Sequence, residues 1–194
     1  MKKVLKKNQI IMFALKLFSK KGFYNTKISD ISKDIGMSVG HFYNYFPSKK
    51  SLAKDSIRYV TSQLAENLRE INAQEISQKE KIYAFVKGYF AFISEYPEMI
   101  EYFFRVYLSN RELFCDEEDC GFSLAKEFID EIETLINVGV AKGEFKEKNF
   151  YVTFAFITGT LGAITFLSGE DVLENDLSIY IDEVSNSIYN ALVC

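Results

Sequence analysis

The sequence contains little histidine and little proline, and each scarcity excludes a class of protein. Its one histidine, His41, lies on the outward side of a predicted helix, so we expect neither a Ser-His-Asp or Cys-His catalytic arrangement nor a cluster of histidine metal ligands. Two prolines and ten glycines are too few turn residues for a many-stranded β-sandwich. We therefore expect an all-α protein that is not an enzyme and that uses no metal or other cofactor.

Cysteine is also scarce. Cys115, Cys120 and Cys194 are an odd number without the spacing of a disulfide framework. The short apolar run over 10–15 is interrupted by Lys16, so it does not resemble a secretory signal. These features predict a cytoplasmic protein. The segment CDEEDC, residues 115–120, lacks zinc-site spacing, and a redox role for its two thiols stays open.

One long segment, 149–168, has twenty residues and no charge. By length it is a candidate membrane span. Four threonines and two glycines dilute its hydrophobicity, and Glu170 and Asp171 follow it where basic residues would be expected. We expect no membrane partner. The favoured interpretation is a helix buried on one side by its own domain and on the other by a second copy of the chain.

Charge is unevenly distributed along the chain. Residues 1–58 hold thirteen Lys or Arg and three Asp, whereas residues 59–194 hold ten basic and 24 acidic residues. A basic N-terminal block on an acidic body is typical of a domain that meets a polyanion. The alternative is that these lysines only solvate the surface.

Apolar residues recur at helical spacing along the chain. This periodicity predicts helices over 3–21, 26–36, 38–46, 48–71, 77–96, 98–109, 122–140, 149–168 and 173–193. Gly22 is the predicted stop of the first helix, Thr26 and Ser38 the predicted N-caps of the second and third, and Ser48 that of the fourth.

The stretch SKDIGMSVGHFYNYFPSKKSL, residues 32–52, has the pattern of a helix-turn-helix. Two short helices flank the break Gly36-Met37-Ser38, and a turn of this length containing glycine directs the second helix toward the DNA major groove. The side chains expected to hold these helices against the first one are Ile31, Ile35, Phe42 and Phe46. The alternative is a plain three-helix bundle with a solvated lysine face.

Polar and small residues of this segment are the candidate DNA contacts. Those expected to face outward on the third helix and reach base edges are Val39, Gly40, His41, Asn44 and Tyr45. Tyr43 and Lys49 suit phosphates. Near helix N-termini, where N–H groups favour a phosphate oxygen, lie Thr26, Lys27 and Ser38.

The run FSKKGFYNTKISDISKDIGMSVGHFYNYFPSKKSL resembles the DNA-binding signature of TetR-family transcriptional regulators. The resemblance implies DNA contacts at Thr26, Ser38, Val39, Gly40, His41, Tyr43, Tyr45 and Lys49. Val39 stands where the family often has Lys or Thr, and Tyr45 where it often has His, so average base preferences of the family do not transfer. Val39 is suited to packing on a thymine methyl group.

The same resemblance implies two domains, a DNA-binding domain over 1–47 and a helical ligand-binding and dimerisation domain over 48–194. It also implies that the last two helices of each subunit form a four-helix dimer interface. The candidates that face the partner are Phe154, Ile157, Leu161, Ile181, Val184 and Ile188. The alternative for each is a place in the core of its own subunit.

Thirteen aromatic residues lie between Tyr83 and Phe128. This density suits a concave site for an elongated apolar or flat aromatic ligand, although an aromatic-rich core is the alternative for any one residue. The candidate ligand-binding residues are Tyr89, Phe92, Tyr96, Tyr102, Phe103, Arg105, Tyr107 and Phe128.

Together these features predict a homodimeric, ligand-responsive regulator, a repressor by resemblance. Its predicted partners are a palindromic double-stranded DNA operator and a small apolar or aromatic effector. The alternative is a DNA-binding structural or cell-division factor of the same fold without an effector.

Overall fold

The computed structural model describes residues 2–115 and 121–194, except for the side chains of Lys2, Arg105 and Arg111. Over these residues the chain forms helices and no strand, which confirms the all-α prediction. The α-helices are α1 (Lys2–Asn25), α2 (Ile28–Asp34), α3 (Val39–Phe42), α4 (Lys49–Asn72), α5 (Gln78–Glu95), α6 (Pro97–Tyr102), α7 (Lys126–Ala141), α8 (Phe150–Gly169) and α9 (Ile181–Val193).

The helix ends follow the predicted signals with one exception. Gly22 adopts φ +75° and interrupts α1. The Ser38 hydroxyl accepts a hydrogen bond from the His41 N–H at 3.2 Å, and the Ser48 hydroxyl accepts one from the Ser51 N–H at 3.0 Å, so both predicted caps are confirmed. Thr26 is not the cap of α2, because its hydroxyl donates to the Gly22 carbonyl at 2.8 Å instead.

Residues 98–109 do not form the single α-helix that the periodicity predicts. Pro97 is the first residue of α6, a position that suits its missing N–H. After Tyr102 the chain continues as a π-helix, Phe103–Leu108, in which the Phe103 and Tyr107 rings stack at 4.9 Å. Apolar spacing does not distinguish a π-helix from an α-helix, since both bring a residue near the one four positions later.

Two other predicted helices begin later than expected. A 3-10 turn, Gly121–Ala125, precedes α7, and another, Leu177–Tyr180, precedes α9. Asp176 has a ψ of 151°, which is not helical. The helix that was predicted to begin at residue 173 has therefore not begun at this residue.

The chain packs as two units, residues 1–63 with 96–126, and residues 64–95 with 127–194. The largest wholly buried side chains of the first unit are Phe18, Phe42, Phe46, Tyr102 and Phe114. In the second unit, side chains with no exposed surface come from five helices: Leu68, Ile82, Val86, Ile132, Ile157 and Ile188 are examples. The units group residues by packing, whereas the predicted division at 47/48 concerns function and stays a prediction.

Tyr102 ties three helices of the first unit together. Its ring stacks on Phe18 of α1 at 5.6 Å, and its hydroxyl donates to the Ala53 carbonyl of α4 at 2.8 Å. Burial raises the pKa of this phenol well above its usual value. Helices α1 and α4 therefore share their core with α6.

Candidate nucleic-acid interface

The third helix of the first unit is held in place from beneath by two phenylalanines. Phe42 and Phe46 are wholly buried, and their rings lie 5.8 Å apart. Ile31 of α2 is also wholly buried, while Ile35 is half-buried. The expected inward set is therefore present, and the rest of the segment 38–45 is left to face outward.

The outward side of this segment carries side chains suited to nucleic acid. Val39 is 41% exposed and Tyr43 50% exposed. Gly40, His41 and Asn44 are exposed as well, and Tyr45 is half-buried. These residues form one continuous surface over α3 and the turn after it, which we call the reading surface.

Three members of the reading surface contact one another. The Asn44 side-chain nitrogen lies 3.3 Å from Nδ1 of His41. The His41 and Tyr45 rings meet edge to face at 5.5 Å. We assign the Asn44 amide as the donor to Nδ1, which places the ring proton on Nε2 and makes Nε2 a donor. His41 and Asn44 thus form one polar group.

Lys27 and Ser38 are exposed at the starts of α2 and α3. Their contacts with phosphates stay a prediction. Tyr24 is a further candidate that the sequence did not single out. Its side chain is 67% exposed and its ring lies edge to face on Phe23 at 5.3 Å. An aromatic residue after the helix-breaking Gly22 was the available signal.

Thr26 and Lys49 differ from the other candidates because their side chains turn inward. Thr26 has no exposed surface, which argues against a phosphate contact by its side chain and corrects that expectation. The Lys49 ammonium donates to the carbonyls of Phe23 at 2.8 Å and Thr26 at 2.9 Å. Burial lowers the pKa of Lys49.

The candidate ligand-binding residues fall in both packing units. Tyr96, Tyr102, Phe103 and Tyr107 belong to the first, and Tyr89, Phe92 and Phe128 to the second. The side chain of Arg105 lies outside the described part of the chain. Phe92, Tyr96, Phe103 and Tyr107 are half-buried and so retain accessible surface.

The other three candidates are used in the cores of their units. Tyr102 is wholly buried with its hydroxyl bonded to Ala53. Tyr89 is 7% exposed and accepts a hydrogen bond from the Thr165 hydroxyl at 3.4 Å; burial raises its pKa to about 12. Phe128 packs against Phe85 at 6.2 Å. For these residues the aromatic-core interpretation fits better than the ligand-binding one.

Four of the candidate dimer residues are buried within a single chain. Ile157 and Ile188 have no exposed surface, and Leu161 and Val184 are 1% and 6% exposed. Phe154 and Ile181 are half-buried. The expectation that all six face a partner needs correction, because side chains already covered by their own unit leave little area for a second copy.

The exposed side of α8 lies elsewhere on the same helix. The buried face repeats every four residues, at Thr153, Ile157, Leu161 and Thr165. Apolar residues also cover the opposite side, where the exposed members are Tyr151, Val152, Phe156 and Phe166. A helix that is apolar all round does not indicate from sequence which side faces inward.

By length and composition α8 is also long and apolar enough to cross a membrane. Its most apolar 18-residue window has a mean hydropathy of 1.7, and 22% of that window is buried within the described residues. The same test is passed by helices that soluble proteins bury, so it is weak evidence for a membrane span.

Helices α2 and α3 and the turn between them form a helix-turn-helix. Residues 10–55 match the family model of bacterial regulatory proteins of the tetR family. Over this segment the match confirms the resemblance to TetR-family regulators that the sequence predicted. The family consists of regulators rather than enzymes, which agrees with the expectation that the chain is not an enzyme.

The alignments with the highest identity are short, and the chain spans only a fifth to a quarter of the length of those relatives. The chain is 44% identical over 54 residues to the uncharacterized HTH-type transcriptional regulator YuxN of Bacillus subtilis, an alignment that spans 28% of this chain and 19% of YuxN. A longer alignment, 140 residues at 23% identity, joins it to the fatty acid metabolism regulator protein of Bacillus subtilis and covers 72% of this chain and 70% of that protein.

A solved structure shares the fold over nearly the whole chain. The crystal structure of the transcriptional regulator FadR from Bacillus subtilis, in complex with stearoyl-CoA, superposes with a TM-score of 0.76. The sequence identity is 20%, and the match covers 95% of this chain and 98% of that one. The second unit therefore shares its fold with that regulator, although the family model matches residues 10–55 only.

Proposed function

We propose that the chain acts as a homodimeric transcriptional repressor that binds a palindromic operator and is released by an elongated apolar ligand. The observation that carries the DNA-binding part is the reading surface, whose polar residues stand exposed above the buried Phe42 and Phe46. A positive head supports it, because phosphate neutralisation supplies much of the affinity for DNA.

The homodimer would form through the exposed apolar side of α8. Val152 is 67% exposed and Phe156 43% exposed, and large exposed apolar patches are typical of interaction sites. A two-fold dimer would place two reading surfaces roughly 34–36 Å apart, one turn of DNA. The operator would then be an inverted repeat.

The effector we propose is a long-chain acyl compound. Support comes from the FadR structure, which holds stearoyl-CoA, and from the longer alignment to a fatty acid metabolism regulator. A saturated acyl chain is the elongated apolar ligand that aromatic side chains suit. Release requires that the ligand bind more tightly to the form that does not fit DNA.

The experiment is a competition between duplex and ligand. The purified chain bound to fluorescent duplex is titrated with stearoyl-CoA, and free CoA serves as the matched control. We expect stearoyl-CoA to lower the anisotropy and CoA to leave it unchanged. DNA binding that neither compound affects would contradict the acyl effector. If flat aromatic compounds also failed to release the duplex, the structural or cell-division factor would be favoured.

A further inference from the structure

Lys49 opens α4, yet its ammonium group is directed at the end of another helix. It donates to the carbonyl oxygens of Phe23 at 2.8 Å, Thr26 at 2.9 Å and Tyr24 at 3.4 Å. It also lies 4.3 Å from the centroid of the Phe23 ring. An ammonium has three N–H donors, and these carbonyls match that number.

The electrostatics of the two helix ends explain this position. The first turn of α4 contains no acid, and a cation there is disfavoured by the positive end of the helix dipole. The last carbonyls of α1 lack helical partners and carry the negative end of its dipole. The Lys49 ammonium therefore lies away from the positive end of α4 and against the negative end of α1. This position is favourable for both helix dipoles.

Thr26 completes the same arrangement from the inside. Its hydroxyl bonds to the Gly22 carbonyl at 2.8 Å and approaches the Leu17 carbonyl at 3.4 Å. Two side chains thus satisfy carbonyls near the end of α1, after the interruption at Gly22 and before the chain turns toward α2. We call Thr26 and Lys49 with these carbonyls the α1 clasp.

We propose that Lys49 is a positioning residue of the DNA-binding head, and that it acts through the α1 clasp instead of neutralising a phosphate. This rests on the proposed DNA-binding function. The clasp fixes where α2 begins, and α2 packs beneath the reading surface through the wholly buried Ile31. A phosphate contact by Lys49 would require giving up carbonyl partners that the ammonium already has.

The dependence of DNA affinity on salt concentration distinguishes the two roles of Lys49, that of a positioning residue in the α1 clasp and that of a phosphate contact. Removing a lysine that neutralises a phosphate lowers the slope of log affinity against log salt by about one. Removing a positioning residue weakens binding but leaves that slope unchanged. The full chain is titrated with a random-sequence duplex over a salt series, at a temperature well below the unfolding transition of every variant.

The variants are Lys49→Met, Lys49→Arg and the matched control Lys27→Met, whose lysine is exposed. We expect Lys49→Met to lower Tm by about 3 °C or more and to weaken binding about tenfold at an unchanged slope. Lys49→Arg should also lower Tm, because a planar guanidinium does not fit three convergent carbonyls. Lys27→Met should keep Tm and reduce the slope.

Several outcomes would overturn the proposal. A Lys49→Met variant with wild-type Tm and a slope reduced by about one would identify Lys49 as a phosphate contact. A lowered Tm with unchanged affinity would show that Lys49 stabilises the fold without positioning the head. If Lys49→Met failed to fold while Lys27→Met folded, the clasp would be supported. If the wild-type chain did not bind DNA, the proposed function would be wrong. The Tm values of Lys49→Met and Lys27→Met would still show whether the α1 clasp stabilises the fold.

Discussion

His41 and Asn44 are two polar side chains that behave as one group, because the Asn44 amide nitrogen lies 3.3 Å from Nδ1 of the imidazole. With Nε2 as the donor, the pair is suited to an acceptor edge such as the N7 or O6 atom of guanine. We propose that Asn44 acts on base specificity through the orientation of His41.

This arrangement predicts that the two residues are not independent. His41→Ala and Asn44→Ala should each relax the preference at the same base position, by about 1–3 kcal/mol of discrimination. The double variant should lose little more than either single variant, because both remove the same oriented donor. The measurement is a double-mutant cycle on duplexes that differ at one base pair. Additive losses at two different base positions would contradict the pairing.

At the scale of elements, α5 begins with a reciprocal cap. The Ser77 N–H and hydroxyl donate to the Glu80 carboxylate at 2.9 and 2.7 Å, and the Glu80 N–H donates to the Ser77 hydroxyl at 3.3 Å. These hydrogen bonds hold the pKa of Glu80 below its ordinary value of 4.5. A lowered folded-state pKa adds stability above the unfolded value, and that stability is lost as the pH falls through the folded value.

The cap predicts a pH-dependent effect of one substitution. Glu80→Gln should lower Tm at neutral pH, on the order of 2 °C because the group is exposed. The difference from wild type should start to shrink below pH 4.5, the ordinary pKa of the group, and should disappear as the pH falls through the lowered folded-state pKa, where the wild-type carboxylate also becomes neutral. Thermal unfolding at several pH values checks this, with Glu75→Gln as the control. A difference that stayed constant down to low pH would exclude the carboxylate as its source.

Features of the helices that depend on nearby residues, such as buried stripes and N-caps, were mostly predicted correctly from the sequence. The stripe of α4, from Leu52 to Ile71, is buried as its periodicity predicts, and the caps by Ser38 and Ser48 form. Thr26 failed as a cap because tertiary partners, the carbonyls at the end of α1, took its hydroxyl. A single sequence shows the capping residue but not the helix end that competes for it.

The candidate site was predictable to a similar depth. The reading surface followed from helical spacing, since Phe42 and Phe46 had to face inward and their neighbours outward. The inward direction of the Lys49 side chain could not be predicted from helical spacing, because its carbonyl partners lie more than twenty positions earlier in the chain. The exposed face of α8 was also hidden, as an all-apolar helix offers no pattern from which to choose a side.

At the scale of the whole molecule, the proposal requires two copies of the chain. The exposed side of α8 supplies apolar area for that contact, and Val152 and Phe156 lie one turn apart on it. Both side chains point away from the core of their own unit. They can therefore be changed without opening a cavity in it.

Charges on this face should separate the copies. Val152→Asp and Phe156→Asp should each weaken the dimer about tenfold or more, since each removes apolar burial and leaves a carboxylate in the interface. DNA affinity should fall in parallel. Tyr83→Asp, at a side chain 40% exposed on α5, is the control. Sedimentation over a concentration series checks the prediction, and unchanged dimerisation in both variants would move the interface away from this face.

The central claim is that two reading surfaces of one dimer contact the same duplex. Selection of bound sequences from a random duplex pool by the purified full chain tests this most directly. The account predicts an enriched inverted repeat whose half-sites are centred about 10 base pairs apart, one turn of DNA. Recovery of the pool without any enriched sequence, or of an isolated half-site without its inverted copy, would contradict it.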